Sequence, residues 1–256
     1  MGATLPAGMT SSIRLHVAAP LAAGATVAAT PAQAHYLRAV MRRVVGDRVL
    51  LFNGRDGEWD SGIAALGRDT AALLAERQTR AQTPEPDFWL LFAVLKRDAT
   101  DLVARQATEL GVARLQPVLT ARTNAERVNT ARLAAIAAEA AEQCERLTVP
   151  PVAPPLRLAA ALAEWPAGRV LHVALERHGA AAPQPVAGPA ALLVGPEGGF
   201  APEEQAALLR HPAVRAQNLG PRVLRAETAV VAGLALLLLL PHAVATPLFA
   251  PAGEGR

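Results

Sequence analysis

The sequence predicts an α/β protein of two domains: a small N-terminal β-barrel over residues 13–83, and a larger domain over residues 87–246 built on a parallel sheet. Three observations predict it. Short alternating runs, separated by Asn-Gly and Asp-Gly turns, fill the chain up to Glu76. Thr83-Pro84-Glu85-Pro86 is then a stiff linker. From Phe88 onward, apolar strands alternate with helical stretches, the pattern of a parallel sheet covered on both faces.

The elements follow in order. Met1 to Ser12 reads as disordered. Arg14 to Val17 alternates as a strand does. Pro31 to Arg43 has helical spacing, with Ala34, Leu37, Val40 and Met41 on one face. Arg48–Phe52, Glu58–Ala64 and Thr70–Glu76 are the remaining strands of the first domain, turned by Asn53-Gly54 and Asp56-Gly57. Phe88–Leu95 is an uninterrupted apolar strand, with Lys96-Arg97-Asp98 at its C-terminal edge. Ala99–Leu110 is a helix with Leu102, Val103, Gln106 and Leu110 inward, capped by Gly111. Ala113–Leu119 is the next strand, Thr120–Asn124 a loop, and Ala125–Arg146 a long helix. Prolines between 150 and 155 break the chain. Leu156–Leu162 is helical, and Arg169–Leu175 and Gly188–Val194 are strands.

Composition narrows the function classes. Apolar residues make up 52% of the chain, enough for a core; aromatics are only 4%, too few for a platform that stacks several bases. Lys96 is the only lysine. Arginine reads phosphate and carboxylate in bidentate geometry, although an alanine- and arginine-rich composition is also what a GC-rich genome produces. The single cysteine, Cys144, excludes an internal disulfide and a cysteine-rich zinc site, and fits a reducing cytoplasm. No signal peptide is visible. The longest apolar run, Ala229–Leu240, is short of the ~20 residues that span a bilayer and reads as a buried helix.

Two stretches carry the chemistry. Leu192-Leu193-Val194-Gly195-Pro196-Glu197-Gly198-Gly199-Phe200 is a buried strand running into a glycine loop, with Pro202, Glu203 and Glu204 suited to a first helical turn. Asn218-Leu219-Gly220-Pro221-Arg222-Val223-Leu224-Arg225-Ala226-Glu227-Thr228-Ala229 is a second glycine loop that runs into a very apolar helix. Neither is a phosphate-binding P-loop or Gly-x-Gly-x-x-Gly. Together they predict a site built from backbone at the C-terminal edge of the parallel sheet. Glu197 reads either as an anion at the N-terminus of the following helix, the preferred reading, or as a ligand contact. Arg38, Arg42 and Arg43 are either RNA phosphate contacts or a solvated helix face. The histidines show no pair at metal spacing, and no Gly-x-Ser-x-Gly motif is present.

These two stretches resemble the RsmE family of 16S ribosomal RNA uracil-N3 methyltransferases. His35-Tyr36-Leu37-Arg38-Ala39-Val40, Ala107-Thr108-Glu109-Leu110-Gly111-Val112 and Glu142-Gln143-Cys144 with Arg146 resemble further pieces of the family, in the same order. The resemblance implies a PUA-like RNA-binding barrel and a SPOUT domain with a deep trefoil knot, a rare exception to unknotted connections. It implies S-adenosylmethionine as methyl donor, no metal, a homodimer through the knot helices, and 16S rRNA in the small ribosomal subunit as cytoplasmic substrate, with no membrane role. Donor contacts carry over to Leu175 and Glu176, to Gly195, Glu197 and Gly198, and to Leu219, Gly220, Arg222, Val223 and Leu224. RNA contacts carry over to Arg38, Arg42, Arg43, Lys96 and Arg122. Uracil N3 is a weakly acidic imide, so Arg225 is expected to stabilise charge on the uracil carbonyls and Glu227 to act as base or positioning group. Two alternatives stay open: a SPOUT methyltransferase acting on another RNA atom, such as a ribose 2′-hydroxyl, and a non-catalytic ribosome-assembly protein.

Overall fold

The computed structural model describes residues 13–123, 128–175 and 188–239. The chain divides into two units, Met1–Pro84 with Ala141–Val149, and Glu85–Ala140 with Pro150–Arg256. The expected disorder of Met1–Ser12 falls outside the described residues.

The first unit is a five-stranded sheet. Its strands are β1 (Arg14–His16), β2 (Thr26–Ala28), β3 (Arg48–Phe52), β4 (Glu58–Leu66) and β5 (Ala71–Arg80), in the order β1-β3-β4-β5-β2. Alternating residues Leu15, Val49, Leu51, Ile63 and Leu73 share one core with Val27 and Leu37. Helix α1 (Pro31–His35) starts at Thr30, whose hydroxyl accepts from the Gln33 amide in a capping box. The helix expected to reach Arg43 stops here. Tyr36–Val40 is a π turn: Met41 N–H bonds to Tyr36 O, five residues back, and Arg43 N–H to Leu37 O, six back. The wider turn rotates Val40 off the buried face, leaving it 59% exposed, and Arg42 takes a positive φ of 53°.

Residues 141–149 belong to this unit because Arg14 holds them. Arg14 is buried. Its Nε donates to Glu58 Oε2 at 2.8 Å, Nη1 to Ala141 O at 2.9 Å and Nη2 to Arg146 O at 2.8 Å. The guanidinium lies 4.5 Å over the Phe52 ring. Glu142 accepts from His16 N–H, and Leu147 is buried with Phe52. The sequence boundary at Thr83–Pro86 had placed this segment in the second domain.

The second unit is a six-stranded parallel sheet: β6 (Phe88–Ala93), β7 (Arg114–Leu119), β8 (Leu156–Arg157), β9 (Val170–Ala174), β10 (Ala190–Val194) and β11 (Val214–Gln217), ordered β11-β9-β10-β6-β7-β8. Its helices are α2 (Arg97–Glu109), α3 (Thr130–Gln143, ending in the first unit), α4 (Leu158–Ala163), α5 (Pro202–Arg210) and α6 (Ala226–Leu234), with a π turn over Ala235–Leu239. One face of the sheet, Leu91, Leu171, Val173, Ala191 and Leu193, forms a core with α4 and with Leu208 of α5. Leu192 points to the other face. There an added Cβ at Gly233 of α6 would meet it at 2.6 Å, so a glycine is what lets α6 lie on the sheet.

Three expectations shift. Helix α2 starts two residues early and buries Thr100, Val103, Ala104, Ala107 and Thr108, leaving Leu102, Gln106 and Leu110 half-buried. Gly111 does end it, at φ 91°. Helix α3 is shorter than expected: the Asn129 side chain accepts from Arg132 N–H at its start, and Glu145, with φ 61°, lies just past its end. Residues 125–127 of the expected stretch, and 124 of the expected loop before it, are outside the described residues. Leu156 and Arg157, expected as helix, add an edge strand before α4.

Candidate active site

All six strands are parallel, so the loops leaving their C-terminal ends gather at one edge of the sheet. Three of these loops enclose a cavity of about 610 Å³. Leu175 leaves β9. Gly195 to Phe200 leave β10. Asn218 to Leu224 leave β11 and lead into α6. The volume lies within the ~300–1,000 Å³ of small-molecule sites.

Glycine shapes the β10 loop. Gly199 adopts φ 68°, and its N–H closes a turn onto Pro196 O at 2.8 Å. At Gly195 a Cβ would stand 2.9 Å from the buried Phe200 ring. Arg122, from the loop after β7, donates Nη1 to Gly198 O at 2.5 Å. Glu197 is exposed and lies four residues ahead of the α5 N-cap, Ala201. Its expected place at the helix N-terminus is therefore corrected. The first-turn anions are Glu203 and Glu204, and Glu204 accepts from Ala201 N–H at 2.9 Å.

Gly220, at φ 119°, turns the β11 loop, where Arg222 and Val223 are exposed and Leu224 is half-buried. Arg225 is the exposed N-cap of α6, and Glu227 lies half-buried in its first turn. Neither lines the cavity, although their neighbours Leu224 and Ala226 do. Of the expected donor contacts, Leu175, Gly195, Glu197, Gly198, Leu219, Gly220, Arg222, Val223 and Leu224 share the one cavity; Glu176 lies outside the described residues. Arg38 and Arg42 are exposed on the first unit, and Arg43 is half-buried, 3.9 Å from Asp47. Lys96 is exposed at the N-cap of α2.

Sequence reasoning missed Gln217. It ends β11, is buried, lines the cavity and bonds His172 Nδ1 at 2.9 Å. Burial, and next the charge of Arg215, push His172 down to about 4, so the imidazole is neutral at physiological pH. The available signal was position: Gln217 immediately precedes the Asn218-Leu219-Gly220 loop.

Two comparisons decide the family. Residues 82–238 match the model of an RNA methyltransferase domain, and residues 29–75 that of an RNA methyltransferase PUA domain. A protein of Synechocystis named ribosomal RNA small subunit methyltransferase E is 34% identical over 231 residues, 87% of this chain and 76% of the relative. The chain belongs to the ribosomal RNA small subunit methyltransferase E family. A second member, from Rickettsia conorii, is 30% identical over 80% of this chain and 86% of its own. The crystal structure of a member from Neisseria gonorrhoeae, bound to S-adenosyl methionine, superposes with a TM-score of 0.79 at 26% identity, over 88% of this chain and 95% of that one. In this methyltransferase family member, the described residues contain no cluster of side chains able to hold a metal ion.

Proposed function

We propose that this protein transfers a methyl group from S-adenosylmethionine to N3 of a uridine in 16S ribosomal RNA, acting on the small ribosomal subunit. The observation that carries the reading is the cavity formed by three consecutive strand-end loops of the parallel sheet. The residues present suit such a donor. Gly220, where an added Cβ would meet nothing within 4 Å, leaves room for close approach of a ligand to backbone. Among the described residues, the charged side chains of the lining are Arg122, Glu197 and Arg222.

Leu175, Gly195, Glu197, Gly198, Leu219, Gly220, Arg222, Val223 and Leu224 would hold the donor, with Glu176 next in sequence. When bound, it supplies an electrophilic methyl group on a sulfonium. The chain's task is to present uracil N3 as a nucleophile. In this reading Arg225 stabilises the negative charge that spreads onto the uracil carbonyls. Glu227 positions the base. Much of the acceleration comes from alignment. Arg38, Arg42 and Arg43 contact RNA phosphates from the PUA unit, and Lys96 and Arg122 do so near the site. The same reading includes a trefoil knot around the β10 and β11 loops, a homodimer that buries the apolar face of α6, and a cytoplasmic location. No helix among the described residues is long and apolar enough to cross a membrane.

The test is methyl transfer from labelled S-adenosylmethionine to small subunits from cells lacking this gene, followed by nucleoside analysis. Label in 3-methyluridine is expected. Label in another nucleoside sinks the N3 assignment. No label from a protein that binds the donor sinks the substrate.

A further inference from the structure

A second cavity, of about 750 Å³, lies against the first. The two share Arg122, Pro196 and Glu197, so the β10–α5 loop is a wall of both. The second cavity is otherwise lined from the end of β6, the start of α2 and the start of α3. Val94, Leu95 and Leu133 of its apolar lining are buried, and Val128 is half-buried.

The polar lining is cationic. Lys96, Arg97, Arg122 and Arg132 stand against Asp101 and Glu197. Asp101 accepts from Arg132 Nε at 3.0 Å and from Nη2 at 2.6 Å. This two-point grip fixes the guanidinium plane and leaves Nη1 without a hydrogen bond among the described residues. Lys96 and Arg97 are exposed and form no salt bridge among the described residues. A cavity with an apolar floor, one pre-oriented guanidinium and two uncommitted cations suits a ligand that is flat and apolar at one end and a phosphate at the other.

We propose that this second cavity holds the nucleotide next to the target uridine in the acceptor RNA strand, its phosphate on Lys96, Arg97 and Arg132 Nη1 and its base against Leu95 and Leu133. The proposal rests on the first cavity being the donor site. Group transfer needs the reacting atoms about 3–3.5 Å apart, and a neighbouring nucleotide anchored across the wall shared with the donor cavity holds the target base to that distance, while Arg225 and Glu227 meet the base itself. Asp101 is then a positioning residue, holding Arg132 for the phosphate.

The test compares uridine with uridine 5′-monophosphate, by calorimetry on the full chain saturated with S-adenosylhomocysteine. The nucleotide should bind about tenfold more tightly than the nucleoside, through charge-assisted contacts to its phosphate. In Lys96→Ala/Arg97→Ala that gap should shrink below about threefold, while affinity for S-adenosylhomocysteine stays within about twofold of the parent. A gap that survives the double substitution overturns the proposal. So does competition between the nucleotide and S-adenosylhomocysteine, or no nucleotide binding at millimolar concentration by protein that binds S-adenosylhomocysteine. A parent chain that fails to bind S-adenosylhomocysteine overturns the donor reading itself, which separates the two failures.

Discussion

Replacing Gly195 by alanine probes the contact on which the proposed donor cavity depends. An ideal Cβ at this position would lie 2.9 Å from Phe200 Cε2, 3.0 Å from Cζ and 3.3 Å from Cδ2. Carbon atoms rest about 3.5–4.0 Å apart, so ring and loop must separate by roughly half an ångström or more. The ring has little freedom to move. Phe200 is 2% exposed and sits in the same core as Leu175, Leu193 and Leu208. Overpacking of this kind costs about 1–3 kcal/mol. Any movement of the loop instead displaces Pro196 to Gly198, which line the proposed donor cavity. Gly195→Ala should lower stability in urea by that amount and weaken S-adenosylmethionine binding at least about tenfold by calorimetry. Adding Phe200→Leu removes the ring edge and should restore part of the donor affinity, a non-additive pair. Unchanged stability together with unchanged donor affinity would refute the argument. So would a donor defect that Phe200→Leu leaves untouched, because the ring contact would then not be its cause.

The remaining predictions concern stability. Gly57→Ala places a Cβ 2.2 Å from Arg80 O at a backbone φ of 76°, and should cost at least about 2 kcal/mol; an unchanged thermal midpoint would contradict that approach. Arg14→Met leaves Glu58 buried without its nearest cation and removes the bonds from Arg14 to Ala141 O and Arg146 O. It should cost about 3–5 kcal/mol in urea unfolding, and a loss below about 1 kcal/mol would mean the pair is solvated. His172 is held at about 4, against 6.5 in the unfolded chain. Above pH 6.5 both states are neutral and the group contributes no pH dependence. Between 6.5 and 4 only the unfolded state binds the proton, so stability falls as pH drops and levels off below 4. The total loss is at most about 3 kcal/mol. His172→Gln should flatten that slope, and identical slopes for the two proteins between pH 7 and pH 4 would show that His172 does not cause it.

The β-α alternation after Phe88 was legible because strands buried on both faces are apolar throughout, as Phe88 to Leu95 and Ala190 to Val194 are. Helix ends marked by glycine or proline, at Gly111 and Pro202, fell where expected. Boundaries set by long-range contacts did not. Segment 141–149 joins the first unit through a buried arginine more than a hundred residues earlier, and nothing local to Ala141 or Arg146 announces that bond. The π turn after His35 was illegible for a related reason. Ala34, Leu37, Val40 and Met41 satisfy the ordinary helical period, and only the i−5 and i−6 bonds of Met41 and Arg43 unwind it. At the site, glycine spacing found the loops. It did not find Gln217, whose role comes from the end of β11 lying beside β9.

Strand order explains why one loop walls both cavities. The chain lays down β6, β7 and β8 in one direction across the sheet. It then returns with β9 on the far side and places β10 between β9 and β6. Strand β10 is therefore the seam between two halves, and its C-terminal loop emerges where the order reverses, the position at which open parallel sheets form crevices. On one side that loop faces the ends of β9 and β11, whose loops complete the first cavity. On the other it faces the ends of β6 and β7, which contribute Lys96 and Arg122 to the second. Only a strand paired on both sides can send one loop between two such clefts. Pro196 and Glu197 occupy that position because β10 registers Val194 against Phe92, which brings the two strands to their C-terminal ends together. The shared boundary of the two cavities thus follows from the order in which the strands are laid down.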